Sequence, residues 1–423
     1  MTVTQEVRVA VVGQGYVGLP LAVRAVEVGH TVVGFDLDKA RIDRLRRGVS
    51  FIDDITDADL TATLDTGRYI PSDDPADLAE FDVAVVCVPT PLRDGAPDLR
   101  YIEGAAHTLA PHLRRGACVV LESTTYPGTT EEVFAPILEA GSGLRAGLDF
   151  HVGFSPERID PSNPTWGLQN TPKIVSGIDE ASAAAVAAFY DSVVDRTVHA
   201  PGTREAELAK LLENTFRHVN IALVNELAVY CHELGIDVWS VIDMAATKPF
   251  GFMKFTPGPG VGGHCLPIDP SYLSWQVRRV LGRTFRFVEI ANDVNDNMPG
   301  YVVTRVIEHL NRRRLAVNGS RVLLVGLAYK RNSGDARQSP ATVVARRLVD
   351  LGAELSAVDP LIAPDEVPNG VRLVPGTPEN VEAADVVVVL ADHDEVDWAL
   401  LEQHAERVLD TRNRLRSAAV DRL

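Results

Sequence analysis

The run "VRVAVVGQGYVGLPLAVRAVEVGHTVVGFDLD" (7–38) constrains the fold of this chain more than any other stretch. Gly13, Gly15 and Gly18 form a G-x-G-x-x-G pattern between an apolar run and a helical stretch, and a second apolar run ends at Asp36. In such a unit the glycines provide a tight turn, close approach of the backbone to a pyrophosphate, and close helix–strand packing. The order of strand, helix, strand and acid therefore predicts a dinucleotide-binding site.

The acid at the end of the second strand bears on which dinucleotide binds. Asp36 can accept hydrogen bonds from both hydroxyls of a ribose and would repel a 2′-phosphate, so the sequence favours NAD over NADP. Arg41 leaves an alternative open, because an arginine here can meet a 2′-phosphate or pack over the adenine as a solvated helix residue. The N-terminus of the helix after the glycines would offer N–H groups and positive potential to the phosphates.

Short apolar runs alternate with helical stretches along the first 200 residues. Five of the runs are almost continuously apolar, which is typical of strands that are buried on both faces. They are "VRVAVVG" (7–13), "TVVGFD" (31–36), "DVAVVCVP" (82–89), "CVVLES" (118–123) and "HVGFSP" (151–156). The alternation predicts an α/β fold with a doubly wound parallel sheet.

Beyond residue 200 the pattern changes to that of long helices. The segment 205–235 lacks proline and internal glycine, and its apolar residues recur at helical spacing. At 1.5 Å per residue such a helix spans about 45 Å, which suits a spine between domains or subunits. A second helix is predicted from about Pro299 to Arg314, with Asp296 or Asn297 near its N-terminal cap.

After a linker, "RRRLAVNGS" (312–320), the strand pattern returns. Four runs carry it: "RVLLVGLAY" (321–329), "ELSAVDP" (354–360), "ADVVVVLAD" (384–392) and "RVLDTRN" (407–413). We therefore predict two Rossmann-like doubly wound parallel-sheet domains, 1–200 and 319–423, joined by a central helical domain, 201–311, that contains the spine helix.

Charge and cysteine content narrow the classes of function. The formal net charge of −17 argues against nucleic acid or an anionic membrane surface as a partner, although loop amides and a few cations can hold an anionic small ligand. No signal-peptide pattern opens the chain, and no apolar run approaches the roughly 20 residues that span a bilayer. Cys87, Cys118 and Cys231 are expected to be buried, reduced thiols of a cytoplasmic protein.

The fourth cysteine, Cys265, lies in the glycine-rich run "PGPGVGGHCLPIDP" (257–270). No second cysteine or histidine stands at ligand spacing, which disfavours zinc. The glycines leave room for a substrate, so a thiolate here can add to an aldehyde; a structural thiol is the alternative. On the long helix, Lys210 and Asn214 are spaced i, i+4, where they can hold a developing alkoxide, order a water, or simply be solvated.

Seven stretches together resemble the UDP-glucose/GDP-mannose dehydrogenase family, and they occur in order over nearly the whole chain. They are "VVGQGYVGLPLA", "ESTTYPGTTE", "GFSPERIDP", "AELAKLLENTF", "GPGVGGHCLPIDP", "GLAYKRNSGDARQSP" and "LDTRN". The resemblance implies a four-electron oxidation of the C6 hydroxyl of a nucleotide sugar to a carboxylate, with two NAD⁺ reduced. It also implies a homodimer through the central helical domain and a C-terminal domain that completes the nucleotide-sugar site.

The resemblance assigns catalytic roles to individual residues. The implied catalytic set is Cys265, Lys210, Asn214, Asp269, Glu157 and Thr124. Cys265 would be the nucleophile that forms a thiohemiacetal and then a thioester, while Lys210 and Asn214 would stabilise oxyanions at C6. Asp269 and Thr124 would handle the ordered water. Glu157 would act as a base in thioester hydrolysis.

The same resemblance implies two binding sites and no metal site. The cofactor site would contain Gly13, Gly15, Tyr16, Val17, Gly18, Asp36, Arg41, Pro89, Thr90, Thr124 and, from the third domain, Arg337. The substrate site would contain Glu157, Arg158, Lys210, Asn214, Gly260, Gly262, Lys330 and Arg412. Lys330 and Arg412 would face the diphosphate as cations, with a solvated surface arginine as the alternative for Arg412.

Two positions depart from the usual pattern of UDP-glucose dehydrogenases. Ile268 stands where these enzymes usually carry lysine, and Pro161 stands where they usually carry a second glutamate. The motifs resemble instead the branch that acts on UDP-N-acetylhexosamines, so UDP-N-acetylglucosamine is the expected substrate, with UDP-glucose or TDP-glucose as alternatives. The segment "KPFGFMKFTPGPG" (248–260) would form part of the sugar-binding wall.

Two other classes compete with this interpretation. A two-electron β-hydroxyacid dehydrogenase shares the Rossmann start and a lysine–asparagine helix, but it needs neither a cysteine in a glycine loop nor a third domain. A non-catalytic NAD-responsive binding protein would not need every catalytic position of the family pattern to be filled. Counting the NADH formed per sugar consumed separates the three classes.

Overall fold

The computed structural model describes residues 6–52, 54–159, 163, 165–263, 266–336 and 338–423. The chain divides into two compact units, Met1–Glu213 with Ser271–Leu281 and Asn214–Pro270 with Gly282–Leu423. Each unit contains one large sheet with helices packed on it, and long helices lie between these two sheets along the chain. The predicted fold class, two Rossmann-like α/β parts joined by a helical part with a spine helix, is confirmed.

The first unit contains an eight-stranded sheet with the order β3-β2-β1-β4-β7-β8-β9-β10 and a separate hairpin of β5 and β6. The strands are β1 (Arg8–Val12), β2 (Thr31–Phe35), β3 (Tyr69–Ser72), β4 (Val83–Val86), β5 (Leu92–Arg93), β6 (Ala96–Pro97), β7 (Cys118–Leu121), β8 (His151–Phe154), β9 (Lys173–Gly177) and β10 (Thr197–His199). Neighbours in the large sheet are parallel except β8 and β9.

All five strands predicted for this unit are present. Helices cover both faces of the sheet, so its central strands are buried on both sides. Along β1, Val9 and Val11 belong to one apolar core, whereas Ala10 and Val12 belong to the core on the opposite face. A strand buried on both faces needs a continuous apolar run, which is the pattern that predicted it. The helices of this unit are α1 (Gly18–Glu27), α2 (Lys39–Arg46), α3 (Asp57–Asp65), α4 (Arg100–Leu109), α5 (Ala135–Ser142) and α6 (Glu180–Val193).

Four helices follow between the two sheets: α7 (Thr203–Leu234), α8 (Val238–Ala246), α9 (Asp269–Leu281) and α10 (Arg286–Arg312). The predicted spine helix is α7, whose 32 residues span about 48 Å. Most of α9 belongs to the first unit although it follows the glycine-rich loop 257–263 of the second.

The predicted start of the second long helix is wrong. Instead of beginning at Pro299, α10 begins at Arg286 and contains Pro299 in its interior. A proline there cannot donate a hydrogen bond to the carbonyl group four residues earlier, that of Asn295. This carbonyl faces the glycine-rich loop instead, where a Cβ on Gly260 would lie 3.2 Å from it. The proline therefore marks a contact rather than the beginning of the helix.

The second unit contains a six-stranded, wholly parallel sheet with the order β13-β12-β11-β14-β15-β16. The strands are β11 (Arg321–Val325), β12 (Glu354–Val358), β13 (Val371–Leu373), β14 (Val386–Val389), β15 (Val408–Asp410) and β16 (Asp421–Arg422). The helices that accompany it are α11 (Pro340–Asp350), α12 (Pro378–Ala383) and α13 (Trp398–Gln403). All four strands predicted here are present.

The two sheets share their strand order and the turn after their first strand. In the first unit Gly13, with φ of +95°, donates its N–H to the carbonyl oxygen of Phe35 at 2.8 Å. In the second unit Gly326, with φ of +80°, donates in the same way to Val358 at 2.9 Å. Parallel sheets of this order bind ligands at the carboxyl ends of the strands, where the order reverses.

A buried ionic cluster ties α10 to the second sheet. The guanidinium group of Arg305 is fully buried and lies 2.5 Å from Asp421 of β16, and Arg312 contacts the same carboxylate. A hydrogen bond from His309 and the two guanidinium groups hold the pKa of Asp421 down to about 2 against the opposing effect of burial. The last strand of the sheet is therefore fixed to the helical segment within this unit.

Glu207 fastens α7 to the loop after β7 in the first unit. Its side chain is fully buried and accepts hydrogen bonds from the backbone N–H of Gly128 at 2.6 Å and of Thr130 at 2.9 Å, and from the Thr130 hydroxyl at 2.7 Å. Burial nevertheless raises the pKa of Glu207 to about 7.

We expect Glu207→Gln to remove a component of the pH dependence of stability. Because the pKa of Glu207 is raised from 4.5 to about 7 on folding, its contribution is full below pH 4.5 and is lost as pH rises through 7. The wild type should lose up to about 3 kcal/mol of unfolding free energy through this group. Denaturant unfolding from pH 5 to 8 measures it, with the exposed Glu205→Gln as the control. Equal slopes for wild type and Glu207→Gln would contradict the expectation.

Candidate active site

The three glycines of the first turn have three different surroundings. A Cβ on Gly13 would lie 2.5 Å from the carbonyl oxygen of Cys87, and one on Gly18 would lie 1.8 Å from that of Gly13. A Cβ on Gly15, in contrast, would meet no atom within 4 Å. Gly13 and Gly18 are thus required by the packing of turn, strand and helix, while Gly15 borders open space before the N-terminus of α1. A pyrophosphate fits this space.

Asp36 joins the ends of the first two strands. One carboxylate oxygen accepts from the backbone N–H of Gln14 at 2.8 Å and from Nη1 of Arg41 at 2.8 Å, and the other accepts from the N–H of Asp38 at 2.9 Å. The Arg41 guanidinium also lies 5.3 Å from the centre of the Phe51 ring. Arg41 is therefore engaged with the acid and a ring, an arrangement that suits packing over an adenine better than binding a 2′-phosphate.

Asp359 makes the corresponding contacts in the second unit. Its Oδ2 accepts from the N–H of Leu327 at 2.7 Å, and its Oδ1 accepts from the N–H of Leu361 at 2.9 Å. The ring of His393 lies 3.3 Å away, and both side chains are enclosed completely. The side chain of Asp36 differs in being 10% exposed.

The other predicted cofactor residues of the first unit lie at the carboxyl ends of its strands. Tyr16 and Val17 stand between β1 and α1, Pro89 and Thr90 follow β4, and Thr124 follows β7. These are the loops from which a sheet with this strand order binds a dinucleotide.

Helix α9 supports the loops after β4 and β7 within the first unit. The buried hydroxyl of Tyr272 donates to the carbonyl oxygens of Thr90 and Pro91, the latter at 3.2 Å. The amide of Gln276 donates to the carbonyl oxygen of Pro127 at 3.3 Å. The segment that follows the glycine-rich loop thus fixes two of the predicted cofactor loops.

Glu157 is part of a buried charged cluster. The ammonium group of Lys173 lies 3.0 Å from Glu157 and 2.8 Å from Glu122, and the Tyr190 hydroxyl donates to Glu122. The second Glu157 oxygen accepts the N–H of Ile159 at 2.6 Å. Burial raises the pKa of Glu157, but Lys173 and the hydrogen bonds outweigh it and leave that pKa lowered.

Arg158 points away from this cluster toward α7. Its guanidinium lies 2.6 Å from Glu213 and donates to the carbonyl oxygen of Pro172 at 2.7 Å. Arg158, which is predicted to bind substrate, is thus held by two contacts within the first unit.

Lys210 and Asn214 are both buried on α7, so neither is a solvated surface residue. Asn214 donates from Nδ2 to Oδ2 of Asp269 at 2.6 Å, and Asp269 is itself buried. Two of the predicted catalytic side chains, Asn214 and Asp269, are therefore brought together, and Asp269 is four residues downstream of Cys265 along the chain.

A hydrogen-bonded network of side chains lies farther along α7 in the second unit. Asn225 donates to Asn295 at 2.9 Å and accepts the backbone N–H of Gly258 at 2.9 Å. Asn295 lies 3.3 Å from Nδ1 of His218, whose Nε2 lies 2.8 Å from Asn292. Since the Asn295 oxygen already accepts from Asn225, its amide group donates to His218. The network joins α7 and α10 to the start of the glycine-rich loop.

The glycines of this loop pack against the second sheet's loops. A Cβ on Gly262 would lie 2.8 Å from the ring of Pro340 and 2.9 Å from Tyr329, and one on Gly263 would lie 2.9 Å from the Tyr329 ring. The sequence suggested that these glycines leave room for a substrate. Close packing of the backbone against Tyr329 and Pro340 is a further reason for them.

The two predicted diphosphate contacts lie in loops after β11 and β15. Lys330 follows Tyr329 and is half-buried. Arg412 donates from Nε to the carbonyl oxygen of Leu390 at 2.8 Å, and a Cβ on Gly258 would lie 2.8 Å from its Nη1. Arg412 is therefore packed against the glycine-rich loop rather than solvated.

Two predicted residues, Cys265 and Arg337, lie outside the described residues, as do His264 and Pro161. The remaining predicted site residues are divided between the units. The first unit holds Gly13, Gly15, Tyr16, Val17, Gly18, Asp36, Arg41, Pro89, Thr90, Thr124, Glu157, Arg158 and Lys210, and the second holds Asn214, Gly260, Gly262, Asp269, Lys330 and Arg412.

The sequence analysis did not identify the residues that form ion pairs and hydrogen bonds with the predicted site residues and their loops. Glu122 and Lys173 were each visible as a single charge in an otherwise apolar run, "CVVLES" and "KIVSG". A charged residue in a buried strand predicts that an oppositely charged residue lies beside it, but the sequence does not identify that second residue. Tyr272 gave no signal at all.

The strand order of the first sheet, the space beside Gly15 and the acid at Asp36 define a dinucleotide-binding domain that favours NAD. Sequence comparison names its family. The chain matches the NAD binding domain (7–194), the central domain (204–297) and the UDP binding domain (323–417) of the UDP-glucose/GDP-mannose dehydrogenase family. The chain belongs to this family, which confirms the predicted resemblance.

Relatives with established names match over most of their length. UDP-N-acetyl-D-glucosamine 6-dehydrogenase of Pseudomonas aeruginosa is 37% identical over 92% of both chains. The structure of UDP-D-ManNAc dehydrogenase from Pyrococcus horikoshii has a TM-score of 0.89 and 35% identity over 98% of both chains. That of a UDP-glucose dehydrogenase from Pyrobaculum islandicum has a TM-score of 0.86 and 27% identity, over 99% of this chain and 96% of its own.

These matches establish the class of activity. The chain is an NAD-dependent nucleotide-sugar dehydrogenase, so the predictions of an oxidoreductase, of NAD and of a nucleotide-sugar substrate are confirmed. None of the helices among the described residues has the length and apolar character needed to cross a membrane.

Alanine at Gly15 and at Gly18 is expected to have opposite consequences. Gly15→Ala should fold normally but weaken NAD binding at least about tenfold, because its methyl group would occupy the space for the pyrophosphate. Gly18→Ala should cost about 1–3 kcal/mol of stability, because its methyl group would press on the backbone. Titration calorimetry with NAD and thermal unfolding separate the two effects.

The control for this pair is Gly104→Ala, on the exposed face of α4, where a Cβ also meets no atom within 4 Å. It should leave NAD affinity unchanged and raise stability slightly, by about 0.5–1 kcal/mol, because alanine favours the helix more than glycine does. Unchanged NAD affinity in Gly15→Ala would show that the pyrophosphate does not approach this glycine.

Proposed function

We propose that this chain oxidises the C6 hydroxyl of UDP-N-acetylglucosamine to the uronic acid in two steps, with two NAD⁺ as hydride acceptors. The observation that carries the proposal is the match to all three family domains in order, with Lys210 and Asn214 buried on α7. UDP-glucose and TDP-glucose are the alternatives, and a two-electron β-hydroxyacid oxidation is the alternative of another class.

The first proposed step removes a hydride from C6 and passes the hydroxyl proton to the ordered water, which gives an aldehyde. The glycine turn of the first sheet would hold NAD⁺, which would supply the hydride acceptor. The thiolate of Cys265 then adds to the aldehyde carbon and forms a thiohemiacetal, so the aldehyde is not released between the two oxidations. An ammonium group at Lys210 and an amide at Asn214 suit the stabilisation of the oxyanions at C6.

The second hydride leaves C6 of the thiohemiacetal while the hydroxyl proton passes to water, which gives a thioester on Cys265; a second NAD⁺ would supply the hydride acceptor. Water then attacks the thioester carbon, the C–S bond breaks, and the uronic acid leaves with the thiolate restored. Asp269 and Thr124 are proposed to position the water, and Glu157 to accept its proton. The bond from Asn214 to Asp269 supports this assignment, because it orients the amide and the carboxylate together.

The choice of sugar rests on the relatives and on one residue. The Pseudomonas aeruginosa relative is a UDP-N-acetyl-D-glucosamine dehydrogenase, and the Pyrococcus horikoshii structure is that of a UDP-D-ManNAc dehydrogenase. Ile268 is buried at the position where UDP-glucose enzymes usually carry lysine. Both observations favour an N-acetylhexosamine, and UDP-N-acetylmannosamine is the nearest competitor.

The nucleotide diphosphate is proposed to bind beside the glycine-rich loop. Lys330 and Arg412 would supply its counter-charge, Gly260 and Gly262 its backbone contacts, and Arg337 would reach the cofactor. We keep 1–200, 201–311 and 319–423 as the functional domains. The cytoplasm is the proposed compartment, in accord with the free thiols at Cys87, Cys118 and Cys231.

We also propose that the enzyme is a homodimer through α7. Leu223, Tyr230 and Leu234 are 61%, 55% and 72% exposed and lie at helical spacing along one stripe of this helix. Exposed apolar side chains of this number on one helix are typical of a protein interface. A second copy of the same helix is the occupant that the family resemblance implies.

The proposed substrate is tested by a panel of UDP-N-acetylglucosamine, UDP-N-acetylmannosamine, UDP-glucose, GDP-mannose and TDP-glucose, with NADH followed by absorbance. We expect kcat/KM for UDP-N-acetylglucosamine to exceed that for UDP-glucose at least about tenfold. A site that hydrogen-bonds the acetamide group would have a polar group left unpaired when UDP-glucose binds, and this costs at least that much. We also expect two NADH per sugar. One NADH per sugar would indicate the two-electron class, and none would exclude catalysis on these sugars.

Cys265→Ser should abolish uronic acid formation, because a serine hydroxyl is not ionised near neutral pH and is a much weaker nucleophile than a thiolate. Cys231→Ala is the matched control, since Cys231 is a buried thiol on α7 with no proposed role. Mass spectrometry of the sugar product measures the effect. Full conversion to the uronic acid by Cys265→Ser would exclude the nucleophile role.

Charges placed on the α7 stripe should dissociate the dimer. We expect Leu223→Glu with Tyr230→Glu to shift the mass in sedimentation from twice 45.8 kDa to 45.8 kDa, because two carboxylates would be buried in an apolar contact. Leu148→Glu changes a 71% exposed leucine off this helix and should leave the dimer intact. A wild type that sediments as a monomer would exclude the proposal.

A further inference from the structure

A buried cluster of alternating charges lies behind Glu157 in the first unit. Lys173, at the start of β9, is enclosed between the carboxylates of Glu122 and Glu157 at 2.8 and 3.0 Å. The side chains of Lys173 and Glu122 are 3% and 0% exposed. An ammonium group buried to this extent is stable only because carboxylates surround it.

The carboxylate of Glu157 is held on both oxygens. Oε2 lies against the Lys173 ammonium, and Oε1 accepts the backbone N–H groups of Arg158 and Ile159, each at 2.6 Å. Three donors from the same unit thus determine how the carboxylate is rotated. Of the three, Lys173 is the only side chain, so among these donors it alone is removable by mutation.

The charged and titratable groups around Glu157 come from five elements of the unit. Lys173 lies on β9, Glu122 at the end of β7, Tyr190 on α6 and Lys210 on α7, and the Cys87 thiol, which follows β4, donates to Glu122 at 3.5 Å. Lys173 and Lys210 both lower the pKa of Glu157, while Glu157 and burial raise the pKa of Glu122. Lys173 lowers the pKa of both carboxylates, but at Glu122 burial and the charge of Glu157 outweigh it, so the pKa of Glu122 is raised while that of Glu157 is lowered.

We propose that Lys173 is a positioning residue of the dehydrogenase: it fixes the Glu157 carboxylate in its ionised form and in one orientation, and Glu122 balances the charge of Lys173. The inference deepens the proposed function, because it rests on Glu157 as the group that accepts the proton of the attacking water. A base in this role must be ionised before the water attacks. Lys173 lowers the pKa of Glu157 and so extends this ionised form to lower pH.

The inference assigns opposite effects to the two partners of the ammonium group. Without Lys173, Glu157, whose side chain is only 12% exposed, would lie beside Glu122 with no ammonium group between them, and its pKa would rise by about one to three pH units. Without the charge of Glu122, Lys173 would attract Glu157 alone, and the pKa of Glu157 would stay low or fall further. A cluster that only stabilised the fold would not carry these opposite pKa changes into the pH profile of kcat.

The pH profile of kcat with the best sugar of the panel tests this. Lys173→Met should move the acid limb upward by about one to three pH units, with kcat lost as the pH falls through the moved limb and recovering at high pH. Lys173→Arg should restore the wild-type profile, and Glu122→Gln should leave the limb in place or move it downward. A Lys173→Met profile that is uniformly lowered without a moved limb would overturn the inference.

The second measurement needs no turnover. Difference infrared spectra of the NAD-bound enzyme between pH 8 and pH 5, with Glu157→Gln as the blank, report the protonation of the Glu157 carboxyl directly. In the wild type this group should stay ionised to pH 5, and in Lys173→Met it should protonate. If Lys173→Met does not fold, Glu122→Gln with Lys173→Met removes both charges and should still raise the pKa of Glu157, because burial then acts without the ammonium group.

The two measurements separate this inference from the proposed function. A wild type that oxidises no sugar of the panel would exclude the proposed function, yet the infrared result would still decide what Lys173 does to Glu157. Protonation of Glu157 at the same pH in wild type and in Lys173→Met would overturn the inference even in a fully active enzyme.

Discussion

Hydrogen bonding along the buried face of α7 is the constraint on which the proposed site depends. A helix of this length could connect domains with apolar side chains alone on its buried face. The buried residues of α7 also include five polar ones: Glu207, Lys210, Asn214, His218 and Asn225. Each buried polar group costs free energy unless it is paired. In the first unit this requirement ties Glu207 to the loop after β7. In the second unit it ties Asn214 to Asp269 and Asn225 to Gly258.

Much of the fold could be predicted because its signals are local. The glycine turn, the apolar strands and the helical period of α7 each depend on residues within one short segment. The start of α10 was predicted wrongly because Pro299 is tolerated inside that helix, where the freed carbonyl of Asn295 faces Gly260. That contact joins segments about 35 residues apart, and a local pattern carries no information about it.

The candidate site divides in the same way. The residues with family motifs, such as Glu157 and Asp36, were named from the sequence, whereas their partners were not. Lys173, Glu122 and Tyr272 act through contacts between elements that are far apart in the chain, and pairing of this kind becomes visible only when the sheet is assembled. Glycines show a further limit, since Gly15 borders open space and Gly262 is pressed against Pro340, although both appear in glycine-rich runs.

The likeness of the two sheets affects how Asp36 should be understood. Asp359 makes the same bonds to the backbone after the first strand, with its side chain enclosed by protein. This acid therefore has an architectural role that does not require a ribose: it clamps the first glycine turn to the end of the neighbouring strand. If replacing Asp36 lowers the affinity for NAD, two causes act together. The glycine turn is no longer held to the neighbouring strand, and the ribose hydroxyls lose their acceptor. Replacement of Asp359 isolates the architectural part, because the same clamp is built there without access to the cofactor.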